Sequence, residues 1–114
     1  MSSINSKADD QLRFITSQRE YREVYSKNYK REGNFFIFLV RKIPENLVAV
    51  GIVVSKKVGI AVVRNKVKRR IRAFIRENLS LLPTNRKIVI IAKPAAGTAN
   101  WQEIKLELME HLIV

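Results

Sequence analysis

The sequence predicts a two-layer α/β sandwich of the α+β class, in which helices pack on a mixed β-sheet. Three observations lead to this prediction. The 114 residues are 46% hydrophobic, which is enough for one core and not for two. Runs with strand character at 35–40, 47–54 and 88–92 alternate with amphipathic segments. The run at 88–92 is apolar on both faces, which is typical of a central or parallel strand.

Residues 1–11 are polar and lack periodicity, so we expect a flexible N-terminal tail, followed by a single domain over 12–114. The N-terminus contains no apolar stretch that could serve as a secretory signal. The longest aliphatic run, Leu47 to Val54, is far too short to cross a membrane. We therefore expect a cytoplasmic protein with no membrane partner.

The first helix is predicted to begin at Ser17, because Ser17 and Glu20 have the spacing of a capping box. Tyr21, Val24 and Tyr25 then fall on one face of this helix. The result is an aromatic side that packs on the sheet or contacts a ligand.

The strands at 35–40 and 47–54 are separated by a short linker that contains a proline, which predicts a hairpin. A helix over 60–78 supplies the crossover to the strand at 88–92. The last helix is predicted to begin at Asn100, which has a glutamate three residues later. This helix places four apolar side chains on one stripe: Trp101, Ile104, Leu108 and Leu112.

The chain is strongly basic, with 22 lysines and arginines against 10 acidic residues and a net charge of +12. Nine of the basic residues, and no acidic one, lie between positions 56 and 76. They are Lys56, Lys57, Arg64, Lys66, Lys68, Arg69, Arg70, Arg72 and Arg76. Such a concentration of one sign indicates a polyanionic partner.

The helix over 60–78 separates its apolar and charged residues by side. At about 100° per residue, the apolar side comprises Ile60, Val63, Val67, Ile71 and Phe74. The opposite half comprises Asn65, Lys68, Arg69, Arg72 and Arg76. A merely solvated face would mix charge signs, because like charges four residues apart destabilise a helix by about 0.2–0.5 kcal/mol per pair. The pattern instead favours a surface that phosphates neutralise.

RNA fits this surface better than DNA. Nothing in the chain resembles a helix-turn-helix or a zinc finger, and Asn65 is the only amide on the exposed face that could read a base. Four aromatic residues could stack on unpaired bases: Tyr21, Tyr25, Phe36 and Phe38. Core packing is the stronger interpretation for Phe36 and Phe38, whereas the two interpretations are balanced for Tyr21 and Tyr25.

The composition argues against a catalytic or metal site in the protein. There is no cysteine and only one histidine, His111. The ten carboxylates are scattered, and the only adjacent pair, Asp9 and Asp10, lies in the predicted tail. Three glutamates of the last helix, Glu103, Glu107 and Glu110, are expected to form an exposed acidic face. We therefore predict no catalytic residue and no metal ligand.

Residues 52–76 resemble the bacterial protein component of ribonuclease P. The resemblance rests on the run Val54-Ser55-Lys56-Lys57-Val58-Gly59, followed by Arg64-Asn65-Lys66 and Lys68-Arg69. It extends to the aromatic first helix and to the strand that ends in Lys93-Pro94, and it covers residues 13 to 112 approximately.

The resemblance implies the protein subunit of an endoribonuclease that removes the 5′ leader from precursor tRNA, with hydrolysis performed by the RNA subunit and Mg²⁺. It implies that the basic helix docks on the RNA subunit, where RNA contacts are expected from Arg64, Asn65, Lys66, Lys68, Arg69 and Arg72, with Lys56 and Lys57 beside them. Arg70 and Arg76 join this RNA-binding set because they belong to the same basic cluster. It implies that Tyr21, Tyr25 and Phe38 line a cleft for the single-stranded leader. Phe36 joins this leader-cleft set as one of the four aromatic residues that could stack on bases. The fold it implies has about four strands in the order α-β-β-β-α-β-α, with a left-handed βαβ crossover.

Two positions depart from the family pattern. Lys66 stands where the family has a second arginine, so a bidentate contact is lost there. Ile60 stands where the family usually has asparagine, so no metal or leader contact of that side chain is expected. Three alternatives remain: a ribosomal or ribosome-assembly protein, a self-sufficient nuclease and, the weakest, a DNA-binding protein.

Overall fold

A computed structural model describes residues 11–113 of the chain. The predicted tail 1–11 lies outside these residues, except for Gln11, whose carbonyl oxygen accepts a hydrogen bond from the Val48 N–H at 2.8 Å. The described elements run in the order β1 (Leu12–Phe14), α1 (Gln18–Ser26), β2 (Tyr29–Glu32), β3 (Phe36–Lys42), β4 (Val48–Val53), α2 (Ala61–Glu77), β5 (Arg86–Ala92) and α3 (Trp101–Leu112). Short 3₁₀ turns cover Leu79–Leu81 and Pro94–Gly97.

The five strands form one mixed sheet in the order β1-β4-β5-β3-β2. β4 is parallel to both β1 and β5, whereas β3 is antiparallel to both β5 and β2. The α+β class is therefore confirmed. The prediction of about four strands missed β1, because three residues are too short to show a strand pattern in the sequence.

The predicted hairpin between the strands at 35–40 and 47–54 is wrong, because β5 lies between β3 and β4. β5 is apolar on both faces, and in this central position Ile88, Val89 and Ile90 are almost completely buried. β3 instead pairs with β2. The predicted helical crossover is confirmed, since α2 connects the parallel strands β4 and β5. The left-handed sense of this crossover stays a prediction that rests on the family resemblance.

Helices cover both faces of the sheet. α2 and α3 pack on the face that carries Phe36, Phe38 and Val40, and this side holds the larger core. α1 packs on the other face, where Val24 contacts Ala49 and Val89 in a smaller cluster. The two-layer description thus fits the side of α2 and α3, while α1 adds a partial third layer.

α1 and α3 each begin directly after a residue whose side chain caps the helix. Ser17 caps α1, because its Oγ accepts a hydrogen bond from the Glu20 N–H at 3.2 Å, and Asn100 caps α3 in the same way. α2 begins without a side-chain cap, since its first flanking residue is Ile60. Ile60 was predicted to lie on the buried stripe of α2, but it precedes the first helical turn and is 71% exposed.

Within residues 11–113, no helix is both long enough and apolar enough to cross a membrane.

Candidate nucleic-acid interface

The basic face of α2 is positioned by the apolar side of the same helix. Val67, Ile71, Phe74 and Ile75 are buried against the sheet, which turns the charged side chains toward solvent. Asn65, Lys66, Arg69, Arg72 and Arg76 are exposed, and Arg64, Lys68 and Arg70 are half-buried. Lys56 and Lys57 are exposed in the turn before the helix. All nine cations and Asn65 are therefore exposed or half-buried on α2 and in the turn before it.

None of these nine cations forms an ion pair within the described part of the chain. The ion pairs that lysines and arginines of residues 11–113 form involve Arg13, Lys30, Lys87 and Lys93, all outside positions 56–76. The positive charge of α2 is thus not neutralised by these carboxylates. A surface of this kind attracts an anionic polymer and releases its counterions on binding.

Three arginines of this surface are held against aromatic rings. The guanidinium groups of Arg72 and Arg76 lie 5.8 and 5.1 Å from the centre of the Phe14 ring. The guanidinium group of Arg70 lies 5.5 Å from the centre of the Trp101 ring. These cation–π contacts orient planar groups that can bind phosphate with two parallel hydrogen bonds. The role of Phe14 was missed because it lies in the short strand β1.

An open cleft lies on the opposite face of the sheet, beside α1. It has a volume of about 300 Å³ and is lined by Gln18, Tyr21, Arg22, Tyr25 and Val53. The Tyr21 and Tyr25 rings are stacked with their centres 6.3 Å apart. Aromatic faces with an arginine beside them can stack on unpaired bases and contact their phosphates.

Tyr21 is the more firmly held of the two tyrosines. Its ring lies directly over Gly51, where a Cβ atom would approach the ring Cε1 to 2.5 Å, so the absence of a side chain at Gly51 lets the ring pack down on the sheet. Partial burial raises the pKa of the Tyr21 hydroxyl, which therefore stays protonated. Tyr25 is 46% exposed and points its ring toward solvent. The contact between Tyr21 and Gly51 was not predictable from the sequence pattern.

Phe36 and Phe38 do not line this cleft, which corrects the expectation for both. They are fully buried on the face covered by α2 and α3, the opposite face from Tyr21. Alternation along β3 directs every second side chain away from the cleft. On the cleft side, the surface of the sheet instead carries Ile37, Ile91 and Val53, which are paired in register on three neighbouring strands.

Ion pairs hold α1 on the sheet beside the cleft. The Glu20 carboxylate accepts two hydrogen bonds from Arg13 at 2.6 Å and contacts Lys87 Nζ at 2.9 Å. Lys87 also pairs with Glu23 at 2.6 Å. The hydrogen bonds from Arg13 lower the pKa of Glu20 to about 2, although partial burial opposes the shift. Glu20 completes only half of the predicted capping box, because its side chain turns to these cations.

Glu107 was expected to be exposed and is buried, with 8% of its surface accessible. Its carboxylate accepts hydrogen bonds from the backbone N–H groups of Asn34, Phe35 and Phe36, at 2.6 to 3.2 Å. It therefore ties α3 to the turn between β2 and β3. Glu103 and Glu110 are exposed, as predicted. No three His, Cys, Asp or Glu residues between positions 11 and 113 are arranged to hold a metal ion.

Comparisons with known proteins agree on one family. A family model described as Ribonuclease P matches residues 10–113. A ribonuclease P protein component from Syntrophomonas wolfei is 34% identical over 89 residues, which make up 77% of this chain and 74% of the relative.

Solved structures of similar fold are ribonuclease P proteins as well. The protein from Staphylococcus aureus matches with a TM-score of 0.79 and 29% identity, over 87% of this chain and 90% of that chain. The protein from Thermotoga maritima matches with a TM-score of 0.79 and 25% identity, over 86% and 93% of the two chains.

Proposed function

Because the chain belongs to the family of bacterial ribonuclease P protein components, and is thus a protein subunit of the ribonuclease P endoribonuclease, we propose that it acts by binding RNA at two surfaces. The basic face of α2 contacts the RNA subunit. The cleft beside α1 contacts the single-stranded 5′ leader of precursor tRNA. The family match decides against a ribosomal or ribosome-assembly protein, and the cytoplasmic location expected from the sequence is part of this proposal.

One observation carries the proposal: the nine cations between Lys56 and Arg76 form no ion pair within residues 11–113, although eight glutamates are present there. Four of these glutamates are engaged elsewhere, Glu20, Glu23 and Glu32 in ion pairs and Glu107 with the backbone. Self-repulsion on α2 lowers stability unless an anion relieves it. A folded RNA supplies phosphates over the area that the cations occupy.

The cleft suits a single strand rather than a duplex. Its stacked tyrosines offer flat apolar surfaces at an open depression of about 300 Å³. Bases of a single strand can unstack and insert between such side chains, whereas those of a helix cannot. The leader, which is unpaired, is therefore the segment of precursor tRNA that fits.

Mg²⁺ would be held by the RNA subunit. Residues 11–113 do not fit a Mg²⁺ site, because hard cations take oxygen ligands and no three carboxylates among these residues come together; the pair Glu20 and Glu23 converges on the Lys87 ammonium instead. The segment from Lys56 to Arg76, which is proposed to meet the RNA subunit, contains no acidic side chain. The protein's part is to bind and orient RNA, and the chemistry belongs to its partner.

Reconstitution with a bacterial ribonuclease P RNA tests this proposal. The protein should lower the Mg²⁺ concentration needed for cleavage or raise the affinity for precursor tRNA, and it should not cleave alone. The effect should be larger for precursor tRNA than for leaderless tRNA. A protein that leaves cleavage by the RNA unchanged would contradict the proposal.

Two exposed tyrosines, Tyr25 inside the cleft and Tyr29 outside it, provide a test of whether the cleft binds the leader. Tyr25→Ala should weaken binding of precursor tRNA about tenfold, because stacking on one base contributes about 1–3 kcal/mol. Binding of leaderless tRNA should not change. Tyr29→Ala is the matched control, since Tyr29 is 45% exposed, on β2 and outside the cleft. Equal losses in the two variants would show that the cleft does not hold the leader.

A further inference from the structure

A second cavity, of about 210 Å³, lies between α2 and the segment that joins β5 to α3. Lys66 and Arg70, one helical turn apart, form its α2 wall above the apolar side chain of Val67. Residues 96–99 and Trp101 form the opposite wall. It opens on the same side of the sheet as the basic face, away from the tyrosine cleft.

The cavity is preformed. Gly97 packs so closely on the Val58 carbonyl oxygen that any side chain there would collide with the backbone. The wall of residues 96–99 is further fixed by backbone hydrogen bonds, in which the Ala96 N–H donates to Lys93 and the Ala99 N–H donates to Ala95. A fixed wall cannot collapse into the space, so a ligand would enter without reorganising the fold.

The groups around the opening combine an aromatic ring with two cations. The Arg70 guanidinium covers the Trp101 ring at 5.5 Å, and Trp101 is half-buried against the core. Neither Lys66 nor Arg70 has a carboxylate within 4.0 Å in the described part of the chain. An indole ring can contact a nucleobase, and adjacent cations can neutralise its phosphate.

We propose that this cavity binds one unstacked ribonucleotide, whose base contacts Trp101 and whose phosphate contacts Lys66 and Arg70. The proposal rests on the proposed function, since it extends the RNA contact of α2 to the start of α3. The RNA subunit is the favoured source. The cavity adjoins the basic face of α2, and it lies on the opposite face of the sheet from the cleft that would hold the leader.

The fluorescence of Trp101 provides a direct readout, because it is the only tryptophan in the chain. Titration of the full-length protein with the folded RNA subunit should quench or shift the emission in step with binding. Arg70→Ala should reduce this spectral change when both proteins are saturated with RNA. Emission that is the same in the free and the RNA-bound protein would overturn the proposal.

Affinity gives a second readout. Trp101→Leu should weaken binding of the RNA subunit about tenfold, and Trp101→Phe should retain most of the affinity, because a phenyl ring still offers an aromatic surface to a base. Lys105→Ala, which removes an exposed charge of α3 outside the cavity, is the control and should have little effect. Circular dichroism of each free variant checks that it is folded.

The arms of this experiment identify the source of the nucleotide. A loss in titrations with the RNA subunit assigns the nucleotide to that RNA, whereas a loss only when the reconstituted enzyme binds precursor tRNA assigns it to the precursor. If Trp101→Leu binds both RNAs as the unchanged protein does, the cavity holds no nucleotide. In that case a normal stimulation of cleavage by the unchanged protein would leave the proposed function intact.

Discussion

Replacing Glu107 by glutamine tests a buried polar contact between α3 and the turn that precedes β3. The carboxylate is buried and accepts hydrogen bonds from three consecutive backbone N–H groups, those of Asn34, Phe35 and Phe36. Glutamine keeps the shape but offers only one acceptor oxygen, and its NH₂ group would face an N–H donor. At least one buried N–H is then left without a partner, in a site where hydrogen bonds to a charged group are lost.

The expected loss can be bounded from these contacts. Each hydrogen bond to a charged group contributes about 1.5–3 kcal/mol, and a buried unsatisfied donor costs about 1–3 kcal/mol. Glu107→Gln should therefore lower the free energy of unfolding by about 2–5 kcal/mol. This is a large part of the 5–15 kcal/mol, roughly, by which domains are stable.

Urea denaturation followed by far-ultraviolet circular dichroism measures this loss. Glu110→Gln is the matched control, because it makes the same chemical change on an exposed side chain three residues along α3. Its midpoint should stay close to that of the unchanged protein. If the two variants have the same midpoint, the backbone contacts of Glu107 contribute nothing to stability and the reasoning is wrong.

Three further predictions concern α2 and α1. Arg69→Ala combined with Arg72→Ala should weaken RNA binding and reduce the slope of log affinity against log salt by about 0.7–0.9 for each lost phosphate contact, and an unchanged slope would show that neither side chain meets phosphate. Ile60→Asn should raise the free energy of unfolding by about 1 kcal/mol, since the extended backbone of Ile60 suits a capping side chain and α2 has none; thermal denaturation would measure this, and a lower midpoint would contradict it. Glu20, with its pKa lowered to about 2 by Arg13, stabilises the folded state fully above pH 4.5, roughly, and this contribution is lost as the pH falls toward 2. Solvent screening limits this contribution to about 1 kcal/mol. The difference in stability between the unchanged protein and Glu20→Gln should therefore fall from about this value toward zero as the pH approaches 2. A difference that stays constant with pH would refute the assignment.

The sequence predicted elements whose signals are local. The caps at Ser17 and Asn100, the amphipathic helix over 60–78 and the buried strand over 88–92 each follow from residues close together in the chain, and the structure confirms them. Periodicity also separated the basic side of α2 from its core. The prediction that Ile60 lies on the buried stripe is wrong, because α2 begins one residue later, at Ala61. Helical periodicity therefore does not apply to Ile60.

Features that depend on distant parts of the chain were not predictable in this way. The position of β5 between β3 and β4 depends on which strands meet, and a short linker favours a hairpin unless a later strand intervenes. Glu107 looks like its exposed neighbours in sequence, but it meets the turn at Asn34, 73 residues away. Phe36 and Phe38 share their residue type with base-stacking side chains, and only the register of β3 assigns them to the core.

The placement of the glutamates explains how the fold tolerates the basic face of α2. Glu20, Glu23 and Glu32 neutralise cations on the α1 side of the sheet and at its β2 edge, and Glu107 satisfies backbone groups. Repulsion along α2, between Lys68 and Arg72 for example, costs only about 0.2–0.5 kcal/mol per pair. Burial of Val67, Ile71, Phe74 and Ile75 contributes about 1.5–3 kcal/mol for each large side chain, which exceeds that cost. The apolar side of α2 therefore fixes the helix while its charged side stays available, so that substitutions on the charged side should change RNA affinity far more than stability.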